Sequence, residues 1–278
     1  MQSGSTRWEL SAIREQLQQQ GWTLLRGFDT DLVSFSDLIH SLSERLTFDP
    51  ARESVSEAAQ KVDAGCEPVG LHIENGNTPI PPETVAFYSA LSASHGAQTT
   101  VCDGHAVYQA LPNRLRKRLE QPYTMTRYLP EVVWRTYIAQ NLQFDDASDV
   151  TLAHLQRFID GIPGQQYSLR EDQGIDYTLT LNAIRSDNRA NTPAFANALL
   201  GPSYNYETPV YRFADGEEFN VELLEELSSL CERHIEEVQW QDGDIVIIDN
   251  KRCMHGRRAI PVDLSQRKLY IAMGVGAA

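Results

Sequence analysis

Trp240-Gln-Asp-Gly-Asp-Ile-Val-Ile-Ile-Asp-Asn-Lys-Arg-Cys-Met-His-Gly-Arg-Arg-Ala-Ile260 decides how the rest of the chain is read. Asp242-Gly243 is a turn pair, and Asp244–Asp249 behind it is a short apolar run of the length a buried strand needs. The polar pair Asp249-Asn250 then turns the chain toward His255-Gly256. A histidine just beyond a buried strand stands where a strand-built scaffold presents its chemistry, at a strand end or in the adjoining loop.

His255 needs partners to define a site. Leu71-His-Ile-Glu-Asn-Gly76 has period-2 character, which puts His72 and Glu74 on one face of a strand. Two histidines and one carboxylate on one face of an octahedral ion leave three positions open, the arrangement that suits non-haem iron(II) oxygenases. An isolated H-x-E is more often an ordinary surface pair; its weight here comes from His255 and from the order of the surrounding segments.

Outward from these segments the pattern is of short strands with helices around them. Trp8, Leu10, Ile13 and Leu17 predict a first helix stopped by Gly21, and Trp22–Gly27 a strand. Phe35, Leu38, Ile39, Leu42 and Leu46 predict a helix over Val33–Leu46. Residues 47–70 are acidic and weakly patterned; they are expected to form a mobile loop, a candidate lid. Pro79, Pro81 and Pro82 mark a turn, and Val85–Ser89 a strand. Asp103 is placed to cap a helix running to Leu111, and Asn113 to cap another after Pro112. Residues 124–215 mix strand-like pieces with one helix near 150–160, and Phe213–Glu217 is a turn. Leu223, Leu224, Leu227, Leu230 and Ile235 predict a helix over 220–237, and Arg267–Met273 a closing strand.

This pattern predicts a mainly β fold with flanking helices, a β-sandwich or jelly roll. A Rossmann fold is disfavoured, since no Gly-rich strand-turn-helix fingerprint and no βαβ alternation is present. Without repeats or a Gly/Ser linker, residues 1–278 are expected to form one domain. The formal net charge of −14 argues against nucleic acid as a partner. Cys66, Cys102, Cys231 and Cys253 form no CxxC pair, which disfavours a zinc cluster. No secretory signal and no membrane-length apolar run is seen, so a soluble cytoplasmic protein is expected.

Five segments in order resemble the TauD/TfdA-like 2-oxoglutarate-dependent dioxygenases: GWTLLRGFD at 21–29, LHIENG at 71–76, HGAQTTVCDG at 95–104, the 240–260 block and QRKLYIAMG at 266–274. The glutamate in the H-x-E pair and the HGR ending are similar to clavaminate-synthase-like members and amino-acid hydroxylases. Ala97 departs from the family's pattern, where a second glycine is usual. The resemblance implies a double-stranded β-helix core of the cupin kind, with His72, Glu74 and His255 as Fe(II) ligands. Arg267 would pair with the distal carboxylate of 2-oxoglutarate, with Lys268 beside it as the competing cation, and Thr99 would donate to the same carboxylate. It also implies dioxygen as the oxidant and a small-molecule substrate, an amino acid free or held on a carrier protein. Glu74 argues against halogenation, because related halogenases lack the carboxylate; desaturation, ring closure and epoxidation stay open beside hydroxylation.

Other polar residues have plainer readings. His95 and His105 are read as solvated or core histidines, Asp103 as a helix cap, Asn75 as a turn residue, and Cys253 and Met254 as packing. Arg185 is a candidate anchor for a substrate carboxylate, with a structural role as the plainer account. Two other functions compete: a hydrolase or isomerase using zinc or manganese in the same triad, and a binding module that has lost turnover. Arg267 with Thr99 speaks against the first and the intact triad against the second.

Overall fold

The computed structural model describes residues 8–49, 52–63, 65–186, 192–202, 207–261 and 263–277. Helix α1 (Leu10–Gln20) ends on Gly21, whose left-handed φ of 81° lets its N–H reach Leu17 O. Strand β1 (Trp22–Leu25) follows, then α2 (Leu32–Leu42), where Asp31 and Ser34 satisfy each other's backbone N–H in a capping box. Next come β2 (Ser43–Thr47), β3 (Gln60–Lys61), β4 (Val69–His72), β5 (Thr84–Leu91), β6 (Thr99–Asp103), α3 (Gly104–Ala110) and α4 (Asn113–Leu119). The middle holds β7 (Tyr123–Leu129), α5 (Glu131–Leu142), α6 (Leu152–Gly161), β8 (Gln165–Leu169), β9 (Ile175–Leu181), β10 (Ile184–Ser186), β11 (Pro193–Phe195) and β12 (Val210–Phe213). The chain closes with α7 (Val221–Glu232), β13 (Ile235–Val238), β14 (Ile245–Asp249), β15 (Cys253–Arg257) and β16 (Lys268–Ala277).

Two sheets make the jelly roll. One runs β1-β14-β5-β16-β2, with β3 on β16; the other runs β13-β6-β15-β4. The period of two along each strand decides what lies between them. Val85 and Phe87 of β5, Val246 and Ile248 of β14, and Leu269, Ile271 and Met273 of β16 meet Val101 and Cys253 of the second sheet. The alternate residues Ala86, Tyr88, Ile245, Ile247 and Ala272 face outward onto Ile13, Leu17, Phe35, Leu38 and Ile39 of α1 and α2. Strand β14 is thus covered on both faces, which is why Ile245–Ile248 reads as an unbroken apolar run.

The outer face of the second sheet is covered too. Leu71, Cys102 and Met254 pack into a large cluster with a third sheet, β12-β7-β9-β8, and with α3 to α7. All strand pairings among the described residues are antiparallel, which rules out a Rossmann arrangement. The mainly β fold with flanking helices is the one the sequence predicts, and among the described residues no helix is long and apolar enough to cross a membrane.

Several sequence expectations need correction. The second helix stops at Leu42, and Leu46 lies in β2 opposite Gly274 of β16, because sheet pairing takes over from the helical period. Ile235 likewise starts β13 opposite Cys102 after α7 has ended at Glu232. Asn113 is the first residue of α4 and makes no cap bond; Pro112 holds the cap position. Helix α5 is unforeseen: Val132, Val133, Thr136 and Ile138 suggest strand, yet Pro130 and Glu131 open a helix that buries Trp134 and Ile138. Residues 47–70 hold β3, the Ser54–Gln60 bridge and the buried Ala58, Ala59 and Gln60, so much of this segment is seated on the fold.

Candidate metal centre

Strand β15 lies between β6 and β4, and its register on β4 sets His255 directly opposite His72. Residues opposite each other in an antiparallel pair share a face; here it is the face between the sheets, where the two rings stand 4.5 Å apart by centroid. Phe87 of β5 closes against His255 edge-on at 5.2 Å. Gly256 permits this tight pairing: a Cβ there would lie 2.5 Å from Val69 O and 2.9 Å from Thr100 Oγ1.

Strand β4 ends at His72, so Glu74 sits in the turn beyond it rather than on the strand. Its place is held by Asn250, which is fully buried. Asn250 Oδ1 accepts from Glu74 N at 2.8 Å, while Nδ2 donates to Glu74 O at 3.1 Å and to Pro82 O at 2.8 Å. The Asp249-Asn250 turn of one motif thereby clamps the Glu74 backbone of the other. Glu74 Oε2 then lies 3.3 Å from His255 Nε2 and 3.9 Å from His72 Nε2, and Oε1 accepts from Arg52 Nη2 at 3.0 Å.

Protonation follows from these contacts. His72 Nδ1 lies 2.9 Å from Gly70 O; a carbonyl only accepts, so Nδ1 carries the hydrogen and Nε2 keeps its lone pair. Burial, helped by the neighbouring His255, pulls the His72 pKa down to about 4, which leaves the ring neutral at pH 7. Burial alone would raise the Glu74 pKa, but Arg52 and the hydrogen bond with His255 outweigh it and keep the carboxylate ionised. His72, Glu74 and His255 bring one donor atom each within 4.8 Å of one another. A bare imidazole nitrogen facing a buried carboxylate is a donor set that fits a divalent ion of the iron kind.

Thr99 precedes the inter-sheet Val101 of β6 by two residues and Arg267 the inter-sheet Leu269 of β16 by two, although the cavity that Arg267 lines includes neither Thr99 nor the triad. Arg267 is buried just before β16, while Lys268 is exposed, which separates the two neighbouring cations. Arg267 Nη2 is buried and has no hydrogen-bond partner among the described residues. Burial and the nearby Arg257 lower its pKa to about 10. Thr99 is buried on β6 and its Oγ1 accepts from Trp240 Nε1 at 3.1 Å, leaving the hydroxyl hydrogen available to donate. No hydrogen bond joins Thr99 to Arg267. Arg267 lines a cavity of about 100 Å³ with Ser89, Gln98, Trp240 and Leu269.

The plainer readings of the remaining residues fit their surroundings. His95 is exposed, Asp103 caps α3 by accepting from His105 N, and Asn75 sits in a turn at φ 52°. Cys253 packs between the sheets and Met254 on their outer face. Arg185 lies on β10, its Nε buried and unpartnered among the described residues. Two residues around Glu74 escaped sequence reasoning. Asn250 stands in the quoted block, but its partner is 176 positions away; Arg52 lies in a segment with no motif.

A jelly roll that brings two histidines and a carboxylate together between its sheets defines the class of mononuclear non-haem iron oxygenases. The profile of the family described as taurine catabolism dioxygenase TauD, TfdA family matches residues 4–273, and the chain belongs to that family. It is a 2-oxoglutarate-dependent dioxygenase with Fe(II) as its metal. A clavaminate synthase-like protein of Arabidopsis thaliana is 24% identical over 280 residues, covering 91% of this chain and 81% of the relative. Among solved structures, a taurine dioxygenase from Burkholderia xenovorans superposes with a TM-score of 0.62 at 14% identity, covering 99% of this chain and 84% of that one. AAD-2 in complex with Mn(II) and N-oxalylglycine superposes at 0.59 and 15% identity, covering 96% and 87%. These likenesses confirm the double-stranded β-helix fold.

Proposed function

We propose that His72, Glu74 and His255 hold Fe(II), that Arg267 with Thr99 holds the distal carboxylate of 2-oxoglutarate, and that residues 1–278 work as one oxygenase domain. The substrate is an amino acid or related small metabolite, free or attached to a carrier protein, hydroxylated at an unactivated C–H bond in a biosynthetic pathway. The observations that carry this reading are three donor atoms within 4.8 Å of one another and, two residues before the inter-sheet Leu269 of β16, a buried Arg267 Nη2 without a hydrogen-bond partner among the described residues. A hydrolase using the triad alone has no use for a buried guanidinium there. The H-x-E pair, similar to that of amino-acid hydroxylases, supports the amino-acid class. The four thiols, all free, suit a reducing cytoplasm.

Fe(II), when bound, would let dioxygen drive oxidative decarboxylation of 2-oxoglutarate to succinate and CO2, one oxygen atom entering succinate and the other the substrate C–H bond. The chain's residues supply position. Gly70 O holds the His72 ring with Nε2 bare, and Asn250 holds the Glu74 backbone. Arg267 offers a planar guanidinium that suits a carboxylate bidentately, and Trp240 orients the Thr99 hydroxyl. Phe87 and its apolar neighbours keep water from the His255 side of the site.

The test is coupled turnover. The Fe(II)-loaded protein, given 2-oxoglutarate and a broad panel of amino acids and pathway metabolites, is expected to form succinate in step with an oxygenated product for at least one of them. Succinate that never rises above the substrate-free level, or full activity with zinc and no 2-oxoglutarate, would contradict the proposal.

A further inference from the structure

Glu74 divides its two oxygens. Oε2 faces His255 Nε2 at 3.3 Å and His72 Nε2 at 3.9 Å, whereas Oε1 is taken by Arg52 Nη2 at 3.0 Å. A carboxylate can bind a metal through one oxygen or both. A facial triad needs three positions left open, and a second oxygen from Glu74 would occupy one of them. We propose that Arg52 is a positioning residue that keeps Oε1 engaged, so that Glu74 meets Fe(II) through Oε2 alone and the keto acid finds its two positions free. This inference rests on the iron and 2-oxoglutarate reading above.

The surroundings of Arg52 suit that task. Its Nε lies 3.3 Å from Asp49 Oδ2. The buried Gln60 amide donates to Arg52 O at 3.3 Å and to Asp49 O at 2.9 Å, and its Oε1 accepts from Asp49 N at 2.9 Å. Ala58 and Ala59 are buried beside it, which seats this strap on the fold. The guanidinium is therefore presented by a braced segment rather than by a free side chain. It also keeps its charge at all working pH values, so its hold on Oε1 does not lapse as a histidine's would.

A purely structural arginine, a mere neutraliser of buried charge and a positioning residue predict different outcomes. In the Fe(II)-loaded protein without oxygen, 2-oxoglutarate is titrated against the visible charge-transfer band of the chelated keto acid. Fe(II) affinity is measured separately by competition with a chromophoric chelator. Arg52→Met is expected to need about 10-fold more 2-oxoglutarate for half-saturation, with Fe(II) affinity falling by a smaller factor. Arg52→Lys, which keeps a charged donor, is expected to recover most of that loss. Arg52→Gln takes the place of the methionine variant if the latter fails to fold, with the same expectation. An unchanged 2-oxoglutarate midpoint would reduce Arg52 to a neutraliser, and loss of Fe(II) in proportion would make it structural; either overturns the proposal. A wild-type protein that binds Fe(II) without any band removes the underlying reading, an outcome distinct from both.

Discussion

His72 and His255 face each other directly across the antiparallel pair of β4 and β15, so the register of one strand pair sets half of the metal centre. The other half depends on Asn250, which reaches from the turn before β15 to hold the Glu74 backbone. Both halves are thus fixed by residues of the 240–260 block, although two of the three donor side chains lie in the 71–76 segment.

Asn250→Ala would leave the Glu74 N–H and the Glu74 and Pro82 carbonyls without these partners inside the protein. The expected cost is about 3 kcal/mol of folding stability, read by urea unfolding. Fe(II) affinity is expected to fall by about 10- to 100-fold, as for other residues that orient a metal ligand. A variant with wild-type stability and metal affinity would show that the clamp does not position Glu74.

Arg267 and Lys268 are neighbours with opposite exposures, and their substitutions should part accordingly. Under the proposed assignment, Arg267→Ala is expected to lose about 2 to 5 kcal/mol in 2-oxoglutarate binding. Lys268→Ala should change it little. Thr99→Val should cost about 1 kcal/mol, one hydrogen bond. Calorimetry on the Fe(II) protein without oxygen gives all three values, and a large effect at Lys268 with none at Arg267 would reverse the assignment.

Ala97 occupies a left-handed backbone position, φ 59°, with its N–H bonded to Ala259 O at 2.9 Å. A Cβ is strained there, which accounts for glycine at the equivalent place in the family's pattern. Ala97→Gly is expected to raise stability by about 0.5 to 1 kcal/mol, the strain relief being offset in part by unfolded-chain entropy. A lower melting temperature for the glycine variant would contradict this.

Arg252 grips Asp103 with two hydrogen bonds, Nε to Oδ1 at 2.9 Å and Nη2 to Oδ2 at 2.7 Å, and also donates to Gln18 O and Gln19 O at the end of α1. Burial alone would raise the Asp103 pKa; Arg252 outweighs it and holds it below the ordinary value. For a depressed carboxylate, the linked stability is present above the unfolded pKa of about 4 and is lost as pH falls through the folded value. Arg252→Met should therefore cost about 3 kcal/mol near pH 7, and the gap between wild type and variant should narrow below about pH 4. A gap that stays constant down to acid unfolding would show that packing, not the ion pair, carries the effect.

What was legible in the sequence follows the physics of each segment. The run Asp244–Asp249 exposes strand periodicity directly, and with the H-x-E and HGR residues it locates the triad, although the alternation read over 71–74 stops at His72 and Glu74 lies in a turn. The limits of the second and last helices were not legible, because Leu46 and Ile235 satisfy a helical period while pairing with β16 and β6. Helix α5 was hidden by its β-branched residues. Arg52 could not be found from local pattern at all: its partner Glu74 is 22 positions away, across a segment whose order comes from tertiary contacts such as those of Gln60.

Fe(II) held by this triad is expected to be chelated by 2-oxoglutarate. The most direct test is the visible spectrum of the protein with Fe(II) and 2-oxoglutarate in the absence of oxygen. A weak charge-transfer band is expected in wild type, absent in His72→Ala and shifted or weakened in Arg267→Ala. Wild-type protein that binds Fe(II) yet shows no band at saturating 2-oxoglutarate would contradict the claim.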